Sequence, residues 1–271
     1  MRCYVINMPK EVSRLERTKH ELNLNCPKLT WSIPPMFVAS EMSDEQFDAL
    51  YDSEGTWKLH NRDLSRGEIA CALSHQSALK EFLKSKDECC LIVEDDVCLS
   101  PVMGDFLDGL ETWMNDNKGI PISVLLSEAA AVRYWMGRGW IGTIKRTSPI
   151  NIYWTVAYVV NRAGAETIIQ ANRCIHTFAD DWTHFCNCGL RVIGTDKILA
   201  TTFDFNKSES SLEAERVDIF KRGADRRITP SFIRRKWNAI KAHIRKAWWI
   251  ISGVTMRNNK IRKTPYMRFD V

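Results

Sequence analysis

The chain has 271 residues, 45% of them hydrophobic and 26% charged, with a formal net charge of +5. That balance is ordinary for a soluble globular protein, and no low-complexity stretch or internal repeat interrupts it. The charge is unevenly placed. Residues 221–271 carry 15 Lys/Arg against 2 Asp/Glu, while residues 1–220 carry 23 against 31. An acidic body therefore precedes a basic tail, and the tail is the part suited to a polyanionic partner.

In chain order, RCYVINM (2–8) reads as a short buried strand. A helix follows over 9–24, with Val12, Leu15, Lys19 and Leu22 at helical spacing. WSI and MFVA within 25–40 are candidate strand pieces. Residues 41–64 look polar and irregular except for a helical turn at SDEQFDALY, capped by Ser43. The strongest helix is 65–85, opened by a capping box of Ser65 and Glu68. Then come a strand at ECCLIVEDD, a helix over 103–117 and a strand at 121–129. A strand at 153–161, a helix over 162–172 and a pair of short strands within 190–203 complete the body. Alternating strands and helices predict a single α/β domain over 1–220. Met1 leads straight into CYVIN, so no secretory signal is expected.

The tail, 221–271, has its own pattern. Thr229-Pro230 opens a helix in which Ile233, Trp237, Ile240, Ile244, Trp248 and Ile251 share one face and basic residues fill the others. An amphipathic basic helix of this kind fits an anionic membrane surface; the alternatives are packing on the body or oligomerisation, and then nucleic-acid binding. Its longest apolar run is too short to span a bilayer. Nine cysteines, an odd number with no CxxC, sit mostly in apolar segments and suggest a reduced cytoplasmic protein. Cys174, His176, His184, Cys186 and Cys188 cluster in sequence, but their spacing matches no common structural zinc pattern.

The chemistry concentrates in LIVEDDV (91–97), an apolar strand ending in three acids. Side chains alternate along a strand, so Glu94 and Asp96 are expected on one side and Asp95 on the other. An acid-x-acid pair at a strand's carboxyl end suits a divalent cation shared with a diphosphate. A solvated turn is the competing reading. No GxxxxGK[ST] loop is present, which argues against P-loop phosphoryl transfer.

Several motifs occur in order: YVIN followed by Arg14 and Arg17, then SRGEIACALSH, LIVEDDV, YWTVAYVVNRAGAETI and FADDW. Together, over residues 1 to about 216, they resemble glycosyltransferase family 25, which includes core galactosyl- and glucosyltransferases of lipopolysaccharide and lipooligosaccharide. Three positions depart from the family pattern. Pro9 stands where Asp is usual, Ala70 replaces the second Gly of GEIGC, and FAD followed by Asp181 replaces PVD.

The resemblance implies a GT-A-like, Rossmann-type domain, a UDP-sugar donor, Mn²⁺ or Mg²⁺, and inversion at the anomeric carbon. It implies Glu94 and Asp96 as metal residues, with Asp95 beside them on the donor side. Asn7, Arg14 and Arg17 would line the donor pocket, together with Gly67, Glu68 and His75 of the GEI…SH motif. Arg14 and Arg17 are otherwise surface arginines, Glu68 a cap and His75 a buried histidine. The general base would be Asp180 or Asp181, with Glu128 in reserve, although the Asp pair could instead cap the following helix. The expected reaction moves a hexose, galactose before glucose, onto a lipid-linked acceptor at the inner face of the inner membrane. A non-catalytic adaptor for membrane or nucleic acid is the alternative from another class, and no nucleic acid is expected.

Overall fold

A computed structural model of the protein describes residues 1–127, 131–132, 141–143, 156–195, 198–203 and 255–256. The elements are β1 (Arg2–Ile6), α1 (Val12–Asn25), β2 (Thr30–Ser32), α2 (Asp44–Leu50), α3 (Ser53–His60) and α4 (Arg66–Lys84). They continue with β3 (Cys89–Glu94), β4 (Val97–Leu99), α5 (Met103–Asp116), β5 (Ile122–Leu125), β6 (Ala131–Val132), β7 (Ile141–Thr143) and β8 (Ala157–Asn161). The last are α6 (Arg162–Ala171), α7 (Trp182–Asn187), β9 (Arg191–Thr195), β10 (Ala200–Thr202) and β11 (Thr255–Met256).

A seven-stranded sheet in the order β2-β1-β3-β8-β5-β9-β7 forms the centre. β2, β1, β3, β5 and β9 run one way, and β8 and β7 run against them. Two small antiparallel pairs, β10 with β4 and β11 with β6, stand outside it. The central strands read as unbroken apolar runs because both faces of the sheet are covered. Cys3, Val5, Leu91 and Val93 face α1 and α5, where Leu22, Met103, Leu107 and Leu110 pack on them. Tyr4, Ile6, Cys90 and Ile92 face α4, α6 and α7 through Leu79, Phe82, Ile168 and Trp182. Each large apolar side chain, fully buried, contributes about 2 kcal/mol.

The predicted caps are present. Ser65 accepts from the Glu68 N–H while the Glu68 side chain returns to the Ser65 N–H, and Ser43 makes the same box with Gln46. At the start of α6, Asn161 Oδ1 accepts from Gly164 and from Ile122 of β5, locking helix to sheet. A Cβ on Gly164 would lie 2.5 Å from the Ile122 carbonyl oxygen. Gly164→Ala is therefore expected to destabilise the fold by about 2 kcal/mol, read as a lowered denaturant midpoint at unchanged slope.

The structure differs from the sequence reading in three places. MFVA forms no strand, and residues 53–60, which read as irregular, form α3. That helix has little apolar periodicity of its own. Asp52 caps it by accepting from Gly55, and buried Thr56 ties it to the His176 carbonyl. Third, β3 stops at Glu94, and Asp95 and Asp96 form a tight turn into β4, a strand that the sequence pattern does not announce. The helix expected over 230–252, the boundary at 220, Glu128, Tyr153 and Trp154 lie outside the described residues. All nine cysteines are free thiols. Among the described residues no three His, Cys, Asp or Glu side chains group to hold a metal; in the Cys174–Cys188 stretch His184 Nε2 meets Cys188 Sγ at 3.6 Å and the Ala171 carbonyl, and His176 Nδ1 faces the Cys174 carbonyl. No described helix is long and apolar enough to cross a membrane.

Candidate active site

Parallel pairing sets the carboxyl ends of β1 and β3 side by side, with Ile6 opposite Glu94. One residue further, Asn7 Nδ2 donates to Asp95 Oδ2 at 2.8 Å. Arg14 and Thr18, four apart on α1, share the face that looks at the turn. Arg14 reaches Asp95 Oδ1 at 2.9 Å and Asp96 Oδ2 at 3.2 Å. The Thr18 hydroxyl donates to the Asp95 carbonyl at 2.9 Å. From the other side, Thr202 of β10 donates to Asp96 Oδ2 at 2.8 Å, and the Phe203 N–H bonds the Asp96 carbonyl.

This corrects the expected division of the acids. Asp95 and Asp96 lie in a turn, where strand alternation no longer applies, and one guanidinium touches both. The crowded charge is therefore partly answered by a basic side chain of the chain itself. Arg14, expected at the donor, thus pairs with both acids. Arg17 is exposed, with its guanidinium 5.5 Å above the Phe203 ring. Sequence reasoning does not single out Thr18 or Thr202. Thr18 carries one available signal, its spacing of four from Arg14; Thr202 lies 106 residues from Asp96 and carries none.

Two features leave the turn open to a ligand. Asp96 Oδ1 is buried without a hydrogen-bond partner. Glu94 keeps 34% of its side-chain surface exposed. Burial pushes the Glu94 carboxyl well above the ordinary carboxylate range, and the charges of Asp96, Asp180 and Asp95 push the same way. The open third of the side chain tempers the burial contribution, and the like-charge crowding remains. Burial also raises Asp95, against the opposing pull of Arg14 and Asn7. His75 lies 3.6 Å from Glu94 Oε1, and burial holds its imidazole down to about 4, so it is neutral at pH 7.

Asp180 is half-buried and close enough for its charge to act on both Glu94 and His75. Asp181 is placed differently. It caps α7, accepting from the His184 N–H at 3.0 Å and from the Thr177 hydroxyl at 2.6 Å, with His60 at 3.8 Å. The segment carrying both is pinned from outside. The Asp52 N–H donates to Ile175, the Ile175 N–H to Leu50, and His60 Nε2 bonds the Thr177 hydroxyl. Asn172 holds the His176 and Thr177 N–H groups. Glu68 makes a bidentate pair with Arg62, 2.8 Å at each oxygen, in addition to its cap, and Gly67 is buried in the same first turn of α4. A cavity of about 220 Å³ lies at the opposite, amino-terminal edge of the strands, between Met1, Cys26, Lys28, Gly104 and Glu111. None of the residues expected in the site line it.

Among solved structures, the chain is similar to UDP-glucose pyrophosphorylase, at a TM-score of 0.40 and 10% identity over 81% of each chain. It is also similar to A197 from STIV, at 0.37 and 15% identity over 72% of this chain and 81% of that one. A third is mannose-1-phosphate geranyltransferase from Thermus thermophilus, at 0.36 and 11% over 74% and 75%. Likeness this slight carries no functional weight. No curated protein sequence matches the chain. The family description "Glycosyltransferase family 25 (LPS biosynthesis protein)" matches residues 1–134, a span that holds Asn7, Arg14, the GEIACALSH helix and the three-acid turn. The later motifs AYVVNRAGAET and FADDW lie beyond that match. Over residues 1–134, then, the chain matches glycosyltransferase family 25.

Proposed function

We propose that the protein is an inverting, metal-dependent glycosyltransferase that takes a hexose from a UDP-sugar, galactose before glucose. The observation that carries the reading is the three-acid turn at the carboxyl edge of the sheet, with a partnerless Asp96 oxygen and a Glu94 one-third exposed near Asp180. The family match over residues 1–134 supports transfer of a sugar in lipopolysaccharide synthesis.

The donor set fits Mn²⁺ or Mg²⁺. Among the described residues no three acids, histidines or cysteines form a closed cage. These hard cations need only one or two carboxylates when a substrate diphosphate and water supply the remaining oxygens. Glu94 and Asp96 would hold the ion, and bound there it would neutralise the departing UDP. Asn7, Arg14 and Thr18 fix Asp95 and so hold the turn rigid. Asp180 takes the proton of the acceptor hydroxyl as that oxygen attacks the anomeric carbon. The bond to the diphosphate breaks with its electron pair leaving on UDP, and the product is inverted. Glu128 remains the reserve base. The acceptor is a lipid-linked oligosaccharide at the inner face of the inner membrane, which the basic tail would reach by its amphipathic helix.

The first test is calorimetric binding of UDP with Mn²⁺, with EDTA, and again for Asp96→Ala. Expected is metal-dependent binding that weakens about 100-fold in the variant. Equal affinity in EDTA, or in Asp96→Ala, would leave the acids a structural turn.

A further inference from the structure

A buried polar row approaches the acids from the helical side of the sheet. β8 supplies Tyr158, paired with Ile92 of β3, and α4 supplies His75. Trp182 meets the Tyr158 ring edge-on at 5.0 Å, and the Tyr158 and His75 rings lie nearly parallel. All three side chains are almost wholly buried. The Tyr158 oxygen is 3.2 Å from His75 Nδ1.

The direction of that bond depends on the His75 tautomer. An enclosed phenol keeps its proton, and Tyr158 is held well above its ordinary value by burial, with nearby acidic groups adding to it. A neutral imidazole offers one donor and one acceptor. Donation from Tyr158 to Nδ1, the tautomer assigned here, places the ring hydrogen on Nε2. That N–H is buried without a hydrogen-bond partner. It lies 3.6 Å from Glu94 Oε1, and a shift of about 0.6 Å would make an ordinary bond. Hydrogen bonds of this kind are often long before ligand binds and tighten in the complex.

We propose that His75 is a positioning residue for Glu94: its Nε2–H grips Oε1 and leaves Oε2 to the metal–diphosphate group of the donor, with Tyr158 fixing the tautomer. The proposal rests on the transferase reading above. It assigns His75 a role through Glu94 rather than contact with the donor, and gives the histidine of the GEIACALSH helix a reason to sit nearly three turns from its cap. A histidine that only fills space would have no need of a defined tautomer.

The test is calorimetric titration of Mn²⁺ into protein saturated with UDP, alongside thermal melts. His75→Leu is expected to weaken Mn²⁺ about 10- to 100-fold, as loss of a carboxylate's hydrogen-bond partner does elsewhere. His75→Gln, which returns an N–H near the Nε2 position, should recover most of the affinity. Tyr158→Phe keeps the packing and loses only the tautomer lock, so it should weaken Mn²⁺ several-fold. Wild-type Mn²⁺ affinity in His75→Leu and Tyr158→Phe, whatever their melting temperatures, would overturn the proposal while leaving the transferase reading intact. If His75→Leu does not fold, Tyr158→Phe decides alone. Failure of the wild type to bind Mn²⁺ with UDP would overturn both.

Discussion

Asp180→Asn is expected to lower kcat by about a thousandfold and leave the melting temperature near wild type, while Asp181→Ala does the reverse. A positioned general base contributes roughly 10²- to 10⁴-fold. Asp180 is the half-buried carboxyl whose charge reaches Glu94 and His75. Asn at that position keeps the shape and cannot take a proton. Asp181 has both oxygens engaged, one by the His184 N–H and one by Thr177. Ala removes the α7 cap and one of the two bonds of the buried Thr177 hydroxyl, leaving it His60, about 3 kcal/mol together. In a protein of this size that amounts to a fall of roughly 8 °C. Steady-state kinetics and a melt on each variant separate the roles. Should Asp180→Asn turn over within tenfold of wild type, the base lies elsewhere and Glu128 becomes the leading candidate.

Arg14→Met should destabilise the folded state by about 3 kcal/mol. Its guanidinium answers two mostly buried carboxylates at once, and removing one member of such a set leaves charge unpaired in a poor solvent for it. Lys at this position keeps the charge without the fork that spans both acids, so Arg14→Lys should recover only part of the loss. Millimolar Mn²⁺ should restore stability to Arg14→Met more than to wild type, because a cation on the turn replaces the missing charge. Denaturant unfolding with Mn²⁺ and with EDTA measures both effects. A loss under about 1 kcal/mol, or no metal dependence, would mean that solvent rather than Arg14 balances the acids.

Much of the sheet was legible because its central strands are apolar on both faces and α4 and α6 carry their own caps. Ser65 and Glu68 mark α4, and the run CCLIV marks β3, without any help from the rest of the chain. α3 was not legible, since Thr56 and Asp52 hold it to a segment about 120 residues away. The acid turn was half legible. Its composition announced a charge problem, but a helical arginine points at solvent or at a neighbour depending on how α1 packs, and that is a tertiary fact. Asp181 shows the same limit. A pair of aspartates before a helix reads equally as cap or catalyst until Thr177 and His184 are seen to occupy one of them.

The pinning of residues 172–181 by α2 and α3 has a consequence for how such a protein can diversify. The acid turn, where the proposed function places the donor, is assembled from β1, α1 and β3, all within the first hundred residues. The segment bearing Asp180 is fastened chiefly through Leu50, Asp52, Thr56 and His60. On the proposed mechanism, changes in that short helical pair would retune where an acceptor hydroxyl meets Asp180 and leave the acid turn unaltered. Exchange of 44–60 together with 172–181 between relatives is the graft that should carry acceptor choice with it, and exchange of either alone should carry only damage.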